Sequence, residues 1–140
     1  MWKDLVDRQR GIVNFSDALI EAIGRTRVLV AGAGGNGAVL DFLVRTGFQR
    51  FVIIDFDVVE ATNLNRLPFT PQAVGKRKAE AWKEYLQAVN PACEVTTHCR
   101  RVTKNDEAWL SDVIAGVDIA ALGMTDIEAN FLIPRVCHRL

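Results

Sequence analysis

Only three cysteines, two histidines and no surplus charge occur in the 140 residues, and each shortage removes a class of protein. Cys93, Cys99 and Cys137 are odd in number and form no C-x-x-C pair, so neither a disulfide framework nor a zinc ribbon is visible. Reduced thiols in a cytoplasmic protein are the simple expectation. Seventeen basic residues cancel seventeen acidic ones, which argues against a nucleic-acid or acidic-membrane surface. No apolar run approaches the ~18 residues of a membrane-spanning helix, and no secretory leader pattern opens the chain. Internal repeats and low-complexity segments are also missing. What is present is a core: 49% of residues are apolar, enough for one domain but short for a complete doubly wound enzyme.

The chain is organised around residues 27–57. Val28-Leu29-Val30-Ala31 reads as a strand buried on both faces, and Gly32, Gly34, Gly35 and Gly37 follow in a turn. An apolar helix is expected over Ala38–Thr46, with Gly47 at its left-handed end, and then a second buried strand, Phe51–Ile54, closing on Asp55. Gly32 permits the tight turn, Gly34 lets backbone approach a phosphate, and Gly37 lets the helix pack on the sheet. The first N–H groups of that helix and its dipole favour an anion. Asp55, 18 residues past Gly37, stands where a carboxylate can accept from ribose hydroxyls. The pattern fits a nucleotide but does not choose between ATP and NAD.

Upstream, residues 1–26 are expected to form an N-terminal helical segment, with Ser16 capping a short helix that Gly24 ends. Downstream, Pro68 and Pro71 forbid a helix through the long segment after Asp55. A helix follows from Lys76 to Val89, stopped by Asn90-Pro91. Glu94–Cys99 is a more polar strand, nearer a sheet edge. Thr103 is the expected cap of a helix over Lys104–Ala115. Val117–Leu122 is an apolar fourth strand, and Gly123–Asp126 turns into a last helix from Glu128 to Arg139. This order predicts an α/β fold, Rossmann-like and doubly wound, with a mainly parallel sheet and helices on both faces over residues 27–140. Further strands would normally follow, so the unfinished sheet predicts a homodimer or larger assembly.

The set G-A-G-G-N-G, D-F-D, N-L-N-R, V-G-K-R-K-A-E and T-D resembles the ThiF/MoeB/ubiquitin-activating family, over nearly the whole chain from about Asp7. It matches the first half of that family's adenylation domain. The resemblance implies ATP and Mg²⁺ as cofactors and adenylation of a carboxylate. The implied partner is a ubiquitin-like or sulfur-carrier protein, or a peptide with a free C-terminus. It also implies that Asp55 and Asp57 hold the ribose, that Asn63, Arg66 and Lys78 meet the phosphates, and that Asp126 holds magnesium. Arg66 offers a planar fork of donors and Lys78 a compact charge. Arg8 or Arg10, with Arg10 preferred, would reach across a dimer.

Several residues depart from the family pattern. Ile127 stands where Asn is common, no arginine follows in Ile127-Glu128-Ala129-Asn130, Asn36 replaces an apolar residue, and Leu67 replaces a glutamine. Two other readings stay open: an NAD-dependent oxidoreductase, which the glycine turn and Asp55 equally permit, and a non-catalytic partner subunit. Asp126 is also a candidate helix cap. Cys137 and His138 are no catalytic pair, because adjacent helical residues point about 100° apart. Burial in the core is the expected role of the thiols.

Overall fold

The computed structural model describes residues 2–139. Four parallel strands form one sheet: β1 (Arg27–Ala31), β2 (Arg50–Ile54), β3 (Glu94–His98) and β4 (Ile119–Leu122), in the order β3-β2-β1-β4. The helices are α1 (Trp2–Leu5), α2 (Asp17–Arg25), α3 (Gly37–Thr46), α4 (Lys78–Val89), α5 (Glu107–Ile114) and α6 (Ile127–Cys137). Alternate residues of the central strands feed two separate cores. Val28, Val30, Phe51 and Ile53 pack with Leu40, Val44, Trp82 and Leu86 of α3 and α4. Leu29, Ala31, Val52 and Ile54 pack with Leu110, Ile114, Leu132 and Ile133 of α5 and α6. Helices therefore cover both faces, as the apolar runs require. No described helix is long and apolar enough to cross a membrane.

Most boundaries fall where the sequence puts them, and the exceptions have local causes. Ser16 caps α2 by accepting the Leu19 N–H at 3.2 Å. Gly24 does not end that helix: it is buried, and a side chain there would meet the Trp2 ring. Gly47 takes φ 110° after α3, as expected. Helix α4 starts at Lys78 rather than Lys76, because residues 75–77 first pair antiparallel with the chain after β2. Gly75 donates to the Val59 carbonyl, and Val59 to that of Lys76. Thr103 is not the cap of α5: Asp106 holds the N-cap position and accepts from both the N–H and hydroxyl of Thr103. Strand β3 is at the edge, as its polarity suggested. Strand β4 is shorter than expected and half open, with Ile119 49% and Leu122 36% exposed, because β1 is its only strand partner among the described residues.

Candidate functional site

The carboxyl ends of β1, β2 and β4 open into one cleft of about 310 Å³. Three loops make most of it, the glycine turn after β1, the Asp55–Asp57 segment after β2 and the Gly123–Asp126 turn after β4, and Arg66 and Lys78 reach in from two further segments. This is where an open parallel sheet gathers backbone N–H groups and loops able to carry side chains.

The glycine turn is fixed from below. Gly32 adopts φ 83°, and a Cβ there would lie 2.6 Å from the Gly123 carbonyl carbon. Both facts demand glycine: the backbone is left-handed, and the β4–α6 turn presses on it. Trp82, fully buried, donates its indole N–H to the Ala33 carbonyl at 2.9 Å, so the α4 core carries a polar prop under the loop. Gly37 does not line the cleft. A side chain there would strike Leu67 at 2.4 Å, so its role is close packing of the helix start.

Asp55 is 4% exposed, yet both carboxylate oxygens are used. One accepts the Ala33 N–H at 2.8 Å and the other the Asp57 N–H at 2.8 Å. Burial raises its pKa above the ordinary carboxylate value, while those two N–H bonds and the nearby Lys78 pull it back. The carboxylate thus ties the glycine turn to the β2 loop and faces the cleft with its remaining lone pairs.

Lys78 is placed twice by the same partner. Its backbone N–H donates to the Asp57 carbonyl at 2.8 Å, and its ammonium meets the Asp57 carboxylate at 2.9 Å. The short pairing of residues 75–77 with the β2 loop sets this up, and α4 then buries the lysine stem. The Nζ atom lies 3.4 Å from where a Gly34 Cβ would stand, so the charge sits directly over the turn. Arg66 lines the same cleft, with Nη1 resting on the Thr62 carbonyl and the Asn65 side chain.

Asp126 lines the opposite wall and is a helix cap as well: one oxygen accepts the Glu128 N–H at 3.0 Å. Its other oxygen lies 3.5 Å from the Arg101 guanidinium. Two site candidates lie outside the cleft of their own chain. Asn63 is buried in the 61–65 turn, its side-chain oxygen accepting the Glu60 N–H at 3.2 Å, and it does not line the cleft. Arg10 is held by Asp7 at 2.5 Å and Asp17 at 2.6 Å within its own chain, also away from the cleft. Of the three thiols only Cys93 is buried, and burial pushes it up to about 11; Cys99 and Cys137 are partly exposed and are also raised by burial.

The sequence profile of the ThiF family matches residues 6–140. The chain belongs to the ThiF family. Ubiquitin-like modifier-activating enzyme 5 of Drosophila melanogaster is 34% identical over 128 residues, 84% of this chain and 32% of that protein. The Aedes aegypti protein of the same name is 32% identical over 130 residues, 86% of this chain and 33% of the relative. The E. coli tRNA N6-threonylcarbamoyladenosine dehydratase TcdA, crystallised in complex with ATP, superposes with a TM-score of 0.86 at 26% identity. That match covers 99% of this chain and 56% of TcdA. The E. coli MccB structure with ATP shares the fold, with a TM-score of 0.74 at 24% identity over 87% of this chain and 36% of MccB. The chain spans about a third of the length of the curated relatives it matches.

Within this ThiF-family cleft, four residues escaped the sequence reading. Trp82 shows in sequence only as a core position. Its indole N–H, which needs an acceptor when buried, was the available signal. Gly123 lies against the Asn36 side-chain amide, 2.6 Å from where a Cβ would be, so a side chain there would push that amide aside. Arg77 donates to the Phe56 carbonyl at 2.8 Å and pins the β2 loop. Arg101 lies over the Phe56 ring at 4.6 Å while reaching Asp126. No local pattern announces it, because the contact joins the β3–α5 loop to the turn after β4.

Proposed function

We propose that the cleft binds ATP with Mg²⁺ and adenylates a substrate carboxylate. One observation carries this: Arg66, Lys78 and Asp126, distant in sequence, converge with Asp55 and the glycine turn on the same cleft. Asp55 takes the ribose hydroxyls. The phosphates lie along the glycine turn at the start of α3, where free N–H groups and the helix dipole favour them. Lys78 leaves Asp57 to meet phosphate oxygens, and Arg66 swings from its own loop to do the same.

The carboxylate oxygen attacks the α-phosphorus, the bond from that phosphorus to the bridging oxygen breaks, and pyrophosphate departs with the electron pair. An acyl-adenylate remains. Little covalent chemistry is asked of the protein: it aligns attacking and leaving oxygens and balances charge as it shifts to the pyrophosphate. Among the described residues no three His, Cys, Asp or Glu side chains converge as a metal cage. Asp126, a carboxylate on the cleft wall, would hold magnesium brought in with the nucleotide. When bound, that ion would neutralise phosphate charge.

The acceptor class is a ubiquitin-like or sulfur-carrier protein, or a peptide with a free C-terminus. The relatives named ubiquitin-like modifier-activating enzyme 5 support the ubiquitin-like part of that range. Self-association belongs to the same reading, supported by the exposed Ile119, Leu122, Ile127 and Phe131. Sedimentation showing a stable monomer at micromolar concentration would count against it. The chemistry is tested by ATP–pyrophosphate exchange with carboxylate-terminated acceptors. Asn can still cap α6, so Asp126→Asn should fold and bind ATP while exchange falls by about 2.7–4 kcal/mol of barrier. Normal exchange in that variant refutes the metal role.

A further inference from the structure

Arg101 belongs to no element of the site, yet it ties two of its walls together. The residue follows β3, the edge strand, and its side chain spans toward the turn after β4 at the other edge of the sheet. On the way the guanidinium rests on the face of Phe56, which lines the cleft just beyond Asp55. It ends 3.5 Å from the outer oxygen of Asp126. The segment after Asp126 has no cation of its own before Arg135, so this loop supplies the one that faces the carboxylate. Asp126's inner oxygen is fixed by the Glu128 N–H and cannot turn away from Arg101 without losing the cap.

That geometry has a consequence for a polyanion entering the cleft. Three carboxylates, Asp55, Asp57 and Asp126, line it. Lys78 answers Asp57, and backbone N–H groups answer Asp55. Without Arg101, Asp126 would be answered only by the Glu128 N–H at the start of α6, and its outer oxygen would hold negative charge where phosphates must come. We propose that Arg101 is a positioning residue that acts as the built-in counter-cation of Asp126. It neutralises the carboxylate until a divalent cation arrives with the nucleotide and takes over that charge. The pair is weak enough to exchange: the arginine side chain is 59% exposed, and half-exposed ion pairs contribute little. Stacking on Phe56 keeps the guanidinium close once displaced.

The inference rests on the ATP reading and separates from it in one experiment. ATP is titrated calorimetrically into the whole chain, with EDTA or with Mg²⁺, for the parent, Arg101→Gln, Asp126→Asn and the double variant. Arg101→Gln should weaken metal-free ATP by about two- to five-fold, the scale of one such pair, and leave Mg-ATP within two-fold. In the Asp126→Asn background the same change should have no effect on metal-free ATP. Arg101→Lys, which keeps the charge, should stay near the parent, and melting curves confirm that each variant is folded. An equal loss with and without Mg²⁺, or a loss that persists beside Asp126→Asn, would mean that Arg101 touches the nucleotide directly or only holds its loop, and would overturn the proposal. No change in any condition overturns it too. A parent chain that binds no ATP in either buffer brings down the ATP reading itself, and this inference with it.

Discussion

The two walls of the cleft are built by opposite means. On the β1–β2 side, Asp55 and Lys78 are buried, the glycine turn rests on a fully buried Trp82, and the Asp55 carboxylate accepts two backbone N–H groups. On the β4–α6 side, β4 is half open, Asp126 is held by one cap bond, and its ion pair with Arg101 is exposed. The first wall has its geometry set before any ligand arrives. The second is held by interactions of a kind that exchange at little cost. The difference teaches a division of labour: a rigid seat for a nucleoside, and an adjustable wall where charge changes during binding and reaction.

That contrast can be broken by substitution. Trp82→Ala removes the largest fully buried side chain and leaves the Ala33 carbonyl without its donor, so a loss of about 3–5 kcal/mol in unfolding free energy is expected. Gly32→Ala comes next. The left-handed backbone alone costs about 1–3 kcal/mol, and the 2.6 Å approach of Gly123 adds to it. On the other wall, Asp126→Ala should cost about 1 kcal/mol, the value of a cap. Denaturant titration of all three measures the asymmetry. If Asp126→Ala destabilises as much as Trp82→Ala, the adjustable wall is structural after all.

The same contrast explains what could be read from the sequence. The rigid wall is legible because its signals are local: continuous apolar runs in β1 and β2, glycines at fixed spacing, and an acid in register. The open edge of β4 does not show in its own residues, because an apolar strand looks the same whether or not a neighbour covers it. The local partners of Asn63 and Arg10, the Glu60 N–H and Asp7 with Asp17, could not be read from a motif, because they depend on how the turns fold. The α4 start shifted because the pairing of residues 75–77 with the β2 loop, a tertiary event, outweighed helix propensity. Arg101 was invisible for the same reason: its partners, Phe56 and Asp126, lie on other strands' loops.

Whether this cleft takes a triphosphate or a dinucleotide is the central question, and Arg66 decides it. A dinucleotide's pyrophosphate is met largely by N–H groups at the start of α3 and asks little of a side chain on the long loop. A triphosphate carries more charge, extends further and requires cationic partners. Calorimetric titration of Mg-ATP and of NAD into the parent and Arg66→Ala measures the difference. Mg-ATP should bind the parent more tightly than NAD. Arg66→Ala should weaken Mg-ATP more than tenfold, from the loss of a charge-assisted hydrogen bond of about 1.5–3 kcal/mol, and leave NAD unchanged. Tighter NAD binding, indifferent to Arg66, would contradict the account.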